Sequence, residues 1–224
     1  MPTLSEVESK RLLAAHGVSF PDEREVATVE AAVAAASELG HPVVLKLGGA
    51  AIAHKTERGL VRLGLADDAA VTDAAASLLD AAPPPPPPPP PPRPEDGAVH
   101  LLVAPMLNGN RELIAGLHLD PQFGMTVMLG VGGVLAEAVA DVAFRLVPIT
   151  ATDAAEMIDD LATQPLFGAF RGEPPVDREA LIAVLMALSN AAMADPSIAA
   201  ADLNPLIIVD GHPIPVDALV EVRV

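Results

Sequence analysis

Cysteine is absent from all 224 residues. Its absence excludes disulfide staples, thiolate zinc sites, iron–sulfur ligation and a cysteine nucleophile. Tryptophan and tyrosine are absent too, and only five phenylalanines occur. Recognition by aromatic stacking on bases or sugars is therefore largely excluded. Positive charge is scarce: 13 Lys and Arg face 30 Asp and Glu, for a formal charge of −17. Such a surface repels a phosphate backbone, so nucleic-acid binding is not expected. No charge-free run of about 20 apolar residues exists, so no membrane-spanning helix is expected either. The first ten residues lack the basic start and apolar stretch of a secretory signal, which makes the cytoplasm the expected compartment.

Hydrophobic residues make up 51% of the chain and are largely Ala and Val, enough to bury a sizeable core. Thr3-Leu4-Ser5-Glu6 looks like a capping box opening a helix that Gly17 ends. Residues 18–26 read as a short edge strand or loop. Thr28 caps a second helix over 29–39, ended by Gly40-His41-Pro42. Residues 43–47 form a β-branched apolar run expected to be a buried strand, and 60–65 a further strand. Asp67-Asp68 opens a helix through residue 79. Ten consecutive prolines then occupy Pro83 to Pro92. Proline neither pairs in a sheet nor continues a helix, so the run predicts a polyproline II rod of roughly 31 Å. It reads as a ligand for a proline-binding module or, preferably, as a low-complexity expansion in a tolerant surface loop.

Beyond that break, residues 99–105, 112–119, 125–129, 134–139 and 144–147 read as strands. A helix is expected from Thr152, and the longest one from a cap at Asp177 to about residue 193. Residues 203–209 and 214–216 should pair as a hairpin across Asp210-Gly211. The pattern is α+β with two lobes: 1–82, a proline-rich linker at 83–97, and 98–224.

Common nucleotide fingerprints are missing. There is no Gly-x-x-x-x-Gly-Lys-Ser/Thr, and Gly130-Val131-Gly132-Gly133-Val134-Leu135 has Leu where a dinucleotide loop needs Gly or Ala. Three clusters carry chemistry. Lys46 sits in an apolar strand, where a charge must be paired or face a ligand cavity. His54-Lys55-Thr56 follows a small-residue loop and could supply a nucleophile or a phosphate ligand. Asn204 and Asp217 could converge if their strands are neighbours. An amide oxygen and a carboxylate are hard ligands suited to Mg²⁺.

The order of these motifs resembles the ATP-grasp domain of the ADP-forming acyl-CoA synthetases, related to the succinyl-CoA synthetase β subunit. The resemblance runs through Pro42-Val43-Val44-Leu45-Lys46, His54-Lys55-Thr56-Glu57, Gly109-Asn110-Arg111-Glu112, the block from Asp120 to Pro148, Arg171-Gly172-Glu173-Pro174-Pro175 and Asp202-Leu203-Asn204-Pro205-Leu206. It covers nearly the whole chain apart from the prolines. It implies an ATP-grasp fold whose two lobes clamp Mg·ATP between sheets. Lys46 matches the lysine on the ATP phosphates, and Asn204 and Asp217 match the Mg²⁺ ligands. Glu137 and Arg145 match residues near the nucleotide, and Gly130, Gly132 and Gly133 would let backbone N–H groups approach an anion. His54 matches a histidine that receives a phosphoryl group from a phosphohistidine of the CoA-binding part.

The implied function is the nucleotide-binding, β-type part of an enzyme running acid + CoA + ATP ⇌ acyl-CoA + ADP + phosphate. Its cofactors would be Mg²⁺ and ATP/ADP, and its partner an α-type subunit with the CoA-binding and ligase domains. Two departures favour an alternative, a catalytically silent ATP-grasp binding or scaffold module. Ala104-Pro105-Met106 stands where the family has Gln-Glu-Met, and Leu219 where it has Arg.

Overall fold

The computed structural model describes residues 1–49, 59–81, 99–133 and 136–223. The chain divides into two compact units: Met1–Phe20 with Leu107–Val224, and Pro21–Met106. Among the described residues no helix is long and apolar enough to cross a membrane.

Helix α1 (Glu6–Ala14) starts later than the capping pattern at Thr3 suggests. Ser5 is the N-cap: its hydroxyl accepts from the Glu8 N–H, and the Glu8 carboxylate accepts from the Ser5 N–H. Thr3 is still in extended pairing, bridged to Glu221 near the other end of the chain. A backbone held in a sheet cannot yet turn into a helix, so the box moves down to the next suitable pair.

The Pro21–Met106 unit holds β1 (Arg24–Val26), α2 (Val29–Leu39), β2 (Val43–Gly48), β3 (Val61–Leu65), α3 (Asp68–Asp80) and β4 (His100–Pro105). The strands form an antiparallel sheet in the order β1-β4-β2-β3. Thr28 and Asp67 cap α2 and α3 as the sequence predicts. Both helices pack on one sheet face. Their Ala32, Ala36, Ala75 and Leu78 meet Val43, Leu45, Leu47, Leu101 and Val103. Small alanines let the helices approach closely, and each fully buried Leu contributes about 1.5–3 kcal/mol.

The second unit adds β5 (Glu112–Asp120), β6 (Gly124–Val131), α4 (Ala136–Val139), β7 (Val142–Leu146), α5 (Ala151–Asp160), α6 (Arg178–Ala194), β8 (Ile198–Val209), β9 (His212–Pro215) and β10 (Leu219–Val222). Its antiparallel sheet runs β10-β8-β5-β6-β7, with β9 also paired to β8. The core packs α1, α5 and α6 against one face through residues such as Leu13, Met157, Leu185, Leu129 and Leu203. Thr150, rather than Thr152, caps α5, because its hydroxyl and the Asp153 carboxylate satisfy each other's backbone amides. Asp177 caps α6 as expected. The strand expected over 134–139 is not formed: its described part is the short helix α4.

The expected lobes 1–82 and 98–224 exchange segments in the structure. Residues 1–20 join the C-terminal unit, since α1 packs on α6 and β10. Residues 99–106 join the other, since β4 lies between β1 and β2 and completes their hydrogen bonding. The proline run and the 83–97 linker lie outside the described residues.

Candidate functional site

Strand β8 alternates. Ala201 and Leu203 are buried on the helix side, while Asp202 and Asn204 project from the face that carries no helix. The alternation breaks after Asn204, and Leu206 and Ile208 return to the core. The register of β5 against β8 shifts at the same level, between Leu113 and Ala115. On the other side of β8, Pro215 of β9 pairs with Leu206, and Leu219 of β10 pairs with Asp202. Residues 216–218 therefore lie beside the 203–205 stretch. The Val216 N–H donates to the Pro205 carbonyl at 3.2 Å. Asp217 Oδ1 accepts from the Ala218 N–H at 2.9 Å. The stretch holding Asn204 and the connection holding Asp217 thus lie side by side, a strand beside a connection rather than two hairpin strands.

Asp202 joins them. Desolvation raises its pKa above the ordinary Asp value, the charge of Asp217 raises it further, and a hydrogen bond with Asn204 works against both. The residue as a whole is exposed, so water tempers the size of the effect while its direction stands. Asp202 was missing from the expected site residues. The Asp-x-Asn spacing was the available signal, since residues two apart on a strand share a face.

This donor set fits Mg²⁺. It comprises two carboxylates and an amide oxygen; among the described residues no group of three His, Cys, Asp or Glu gathers, here or elsewhere, so the amide of Asn204 is the third donor. An incomplete oxygen shell suits a cation that keeps its waters and binds phosphate oxygens. A divalent cation placed there would relieve the crowding of Asp202 by Asp217. Asp202 and Asn204 also line a shallow cavity of about 380 Å³, together with Ile114, His118, Met128 and Leu219.

Lys46 occupies β2 and is 7% exposed. Its neighbours in sequence, Leu45 and Leu47, face the helices, so Lys46 lies on the opposite face of its sheet. A buried ammonium in an otherwise apolar strand is the feature the sequence singled out. His54 lies outside the described residues.

The glycine expectation changes. Gly130 stands in the ladder between Ile114 and Val142, and a Cβ there would come within 2.8 Å of the Val142 side chain. Gly132 donates its amide to the Glu112 carbonyl at 2.8 Å, so that N–H is engaged within the sheet rather than offered to an anion. Gly133 adopts φ of 85°, a left-handed conformation that ends β6. The first two are packing glycines. Glu137 falls in α4 rather than in a strand.

Arg145 is also reassigned. It pairs across β6 with buried Val127, which puts it on the helix face of the sheet. There its guanidinium meets Asp160 at 2.6 Å and Glu156 at 3.7 Å, and these partners hold its pKa up. Asp202 and Asn204 use the other face. Even strand parity separates Arg145 from them.

Two motif stretches serve the scaffold. Arg111, 3% exposed, donates to Glu173 and to the carbonyls of Leu166, Gly168 and Pro174. Glu173 also accepts from the Asn110 backbone and side chain. Together they fasten the loop at 171–175 to the start of β5.

Comparison with known proteins places these observations. The ATP-grasp domain family model matches residues 2–222, so the chain belongs to the ATP-grasp family. The acetate–CoA ligase (ADP-forming) I β subunit of Pyrococcus furiosus is 34% identical over 215 residues, covering 96% of this chain and 90% of the relative. A Candidatus Korarchaeum cryptofilum acetyl-coenzyme A synthetase 1, solved with coenzyme A and Ca-AMPCP, matches with a TM-score of 0.86 and 33% identity over 99% of this chain and 94% of that one. The same enzyme with coenzyme A and Mg-AMPPCP, its phosphohistidine segment pointing towards the nucleotide-binding site, matches with a TM-score of 0.80 and 33% identity over 99% and 93%. The expected α+β ATP-grasp fold is borne out.

Proposed function

We propose that this chain is the nucleotide-binding, β-type part of an ADP-forming acyl-CoA synthetase. The convergence of Asp202, Asn204 and Asp217 on an uncovered sheet face carries this reading, in a chain of the ATP-grasp family over nearly its full length. Asn204 and Asp217 hold Mg²⁺, with the Asp202 carboxylate beside them. The bound cation would neutralise charge on the phosphates. Lys46 offers them a point positive charge from a rigid strand. His54 relays the phosphoryl group between ATP and the phosphohistidine of the CoA-binding part. When ATP is consumed, a ring nitrogen bonds to phosphorus as the bond to the leaving ADP oxygen breaks, and the group then passes to that histidine; in the other direction His54 receives it from there. The partner is an α-type subunit bearing the CoA-binding and ligase domains, as the β-subunit relative suggests. With it the pair interconverts acid, CoA and ATP with acyl-CoA, ADP and phosphate in the cytoplasm.

A silent binding module is the second reading, favoured by apolar Leu219 in the cavity beside Asp202. Calorimetric titration with ATP, with and without Mg²⁺, tests the nucleotide site. Mg²⁺-dependent binding that Asn204→Ala and Asp217→Asn abolish supports it; no binding by the folded chain overturns it. With the α-type subunit added, His54→Ala should stop phosphoryl transfer and spare ATP binding. Transfer that persists in that variant removes His54 from the mechanism, and a pair without transfer leaves the silent reading.

A further inference from the structure

One face of α1 buries three polar residues, Glu6, Ser9 and Lys10, at 4%, 0% and 6% exposure. Buried charges are tolerated only when paired and hydrogen-bonded. Lys10 Nζ donates to Glu6 Oε1, one turn earlier, at 2.7 Å. It also donates at 3.1 Å to the carbonyl of Val216. The Phe20 ring centroid lies 5.7 Å from the ammonium. Ser9 Oγ accepts from the Val220 N–H at 3.0 Å. Side chains of α1 therefore grip the backbone on both sides of Asp217.

That backbone needs the grip. Residues 216–218 fall between β9 and β10 and belong to neither strand. Val216 is held through its N–H by Pro205 and through its carbonyl by Lys10. Beyond it, the N-terminal residues tie β10 down, with the Leu4 N–H on the Val220 carbonyl and the Val222 N–H on the Pro2 carbonyl. A buried ion pair is a poor way to gain stability, because apolar residues of similar volume usually match it or do better. What an ammonium supplies and a leucine cannot is a directed bond to one carbonyl.

We infer that the Glu6–Lys10 pair, with Ser9, positions Asp217 for the metal. Lys10 is a positioning residue that acts through the Val216 backbone. The inference rests on the Mg²⁺ site proposed above. Outer partners of a metal ligand fix its orientation, and losing one typically costs about 10–100-fold in metal affinity.

The test uses Mn²⁺ as the probe, read by electron paramagnetic resonance, with the whole chain loaded with a non-hydrolysable ATP analogue. Glu6→Gln combined with Lys10→Met removes both charges of the pair at once. Mn²⁺ affinity should fall about tenfold or more, while affinity for the metal-free nucleotide stays at the wild-type value. Lys10→Arg, which keeps charge and donors, should restore most of the loss. Ser9→Ala removes a single hydroxyl and should lower Mn²⁺ affinity in the same direction; it carries the test if the double variant does not fold. A purely structural role would lower the melting temperature and leave Mn²⁺ affinity unchanged in the folded variants, and that result overturns the inference alone. If the wild-type chain binds nucleotide but takes up no Mn²⁺, the proposed metal site falls and this inference with it.

Discussion

Desolvation raises the pKa of Asp202 on β8, and Asp217, beyond β9, stands close enough that its charge raises it further. The folded chain thus holds the Asp202 proton more tightly than the unfolded chain does. Stability from this group is fully present below the ordinary Asp range and is lost as pH rises through the raised folded value. Asp202→Asn should therefore melt higher than wild type near neutral pH without metal. The gain is under about 1 kcal/mol because the residue is exposed. The difference should vanish near about pH 3, where both states protonate the group. Thermal melts across pH check this, and a variant that melts lower at neutral pH contradicts it.

Lys46→Met should keep the fold and lose the ligand. A methionine fills most of the same volume in β2, so the sheet should still form, and the melting temperature reports separately what the lost charge costs the fold. ATP affinity should fall about tenfold or more, the scale of one charge-assisted contact of roughly 1.5–3 kcal/mol. Calorimetry beside a thermal melt separates the two effects. Unchanged affinity would remove Lys46 from the phosphate site.

Arg111→Met should be among the most damaging single changes. It strands Glu173 and three carbonyls that the guanidinium now satisfies. Breaking such a pair from one side leaves the buried guanidinium's partners unsatisfied, a loss measurable by urea unfolding. The Asn110 backbone N–H first, then the Arg111 and Asn110 side chains, lower the Glu173 pKa against desolvation. Its stabilisation is present above the ordinary Glu range and lost as pH falls through the lowered folded value. Glu173→Gln should correspondingly flatten the acid limb of the stability profile.

Arg145→Ala should leave nucleotide affinity unchanged. Its partners are Asp160 and Glu156 of α5, half-exposed pairs worth about 1 kcal/mol or less together. A loss of ATP binding in this variant would return Arg145 to the site.

Much of the secondary structure was legible because its signals are local. Thr28, Asp67 and Asp177 each accept the amide of the residue three ahead, whatever the rest of the chain does. Strand β2 announced itself by an apolar β-branched run, and the unusual charge within it pointed at Lys46. Where a local signal had a rival, tertiary contacts chose. Ser5 displaced Thr3 as the cap because Thr3 pairs with Glu221. The segment 134–139 was a strand candidate, yet Ala136–Val139 is helical.

The sequence by itself determined the family, the caps of α2, α3 and α6, most strands and the candidate residues Lys46, Asn204 and Asp217. Those depend on residue type and short spacing, which survive without a fold. Only the tertiary structure decided which unit α1 and β4 join, that Arg145 turns to the helices, and that Asp202 stands within reach of Asp217 and Asn204. It alone brought Lys10 to Val216, a contact spanning 206 positions. Such choices rest on strand parity, register and packing between distant segments, and no local pattern encodes them.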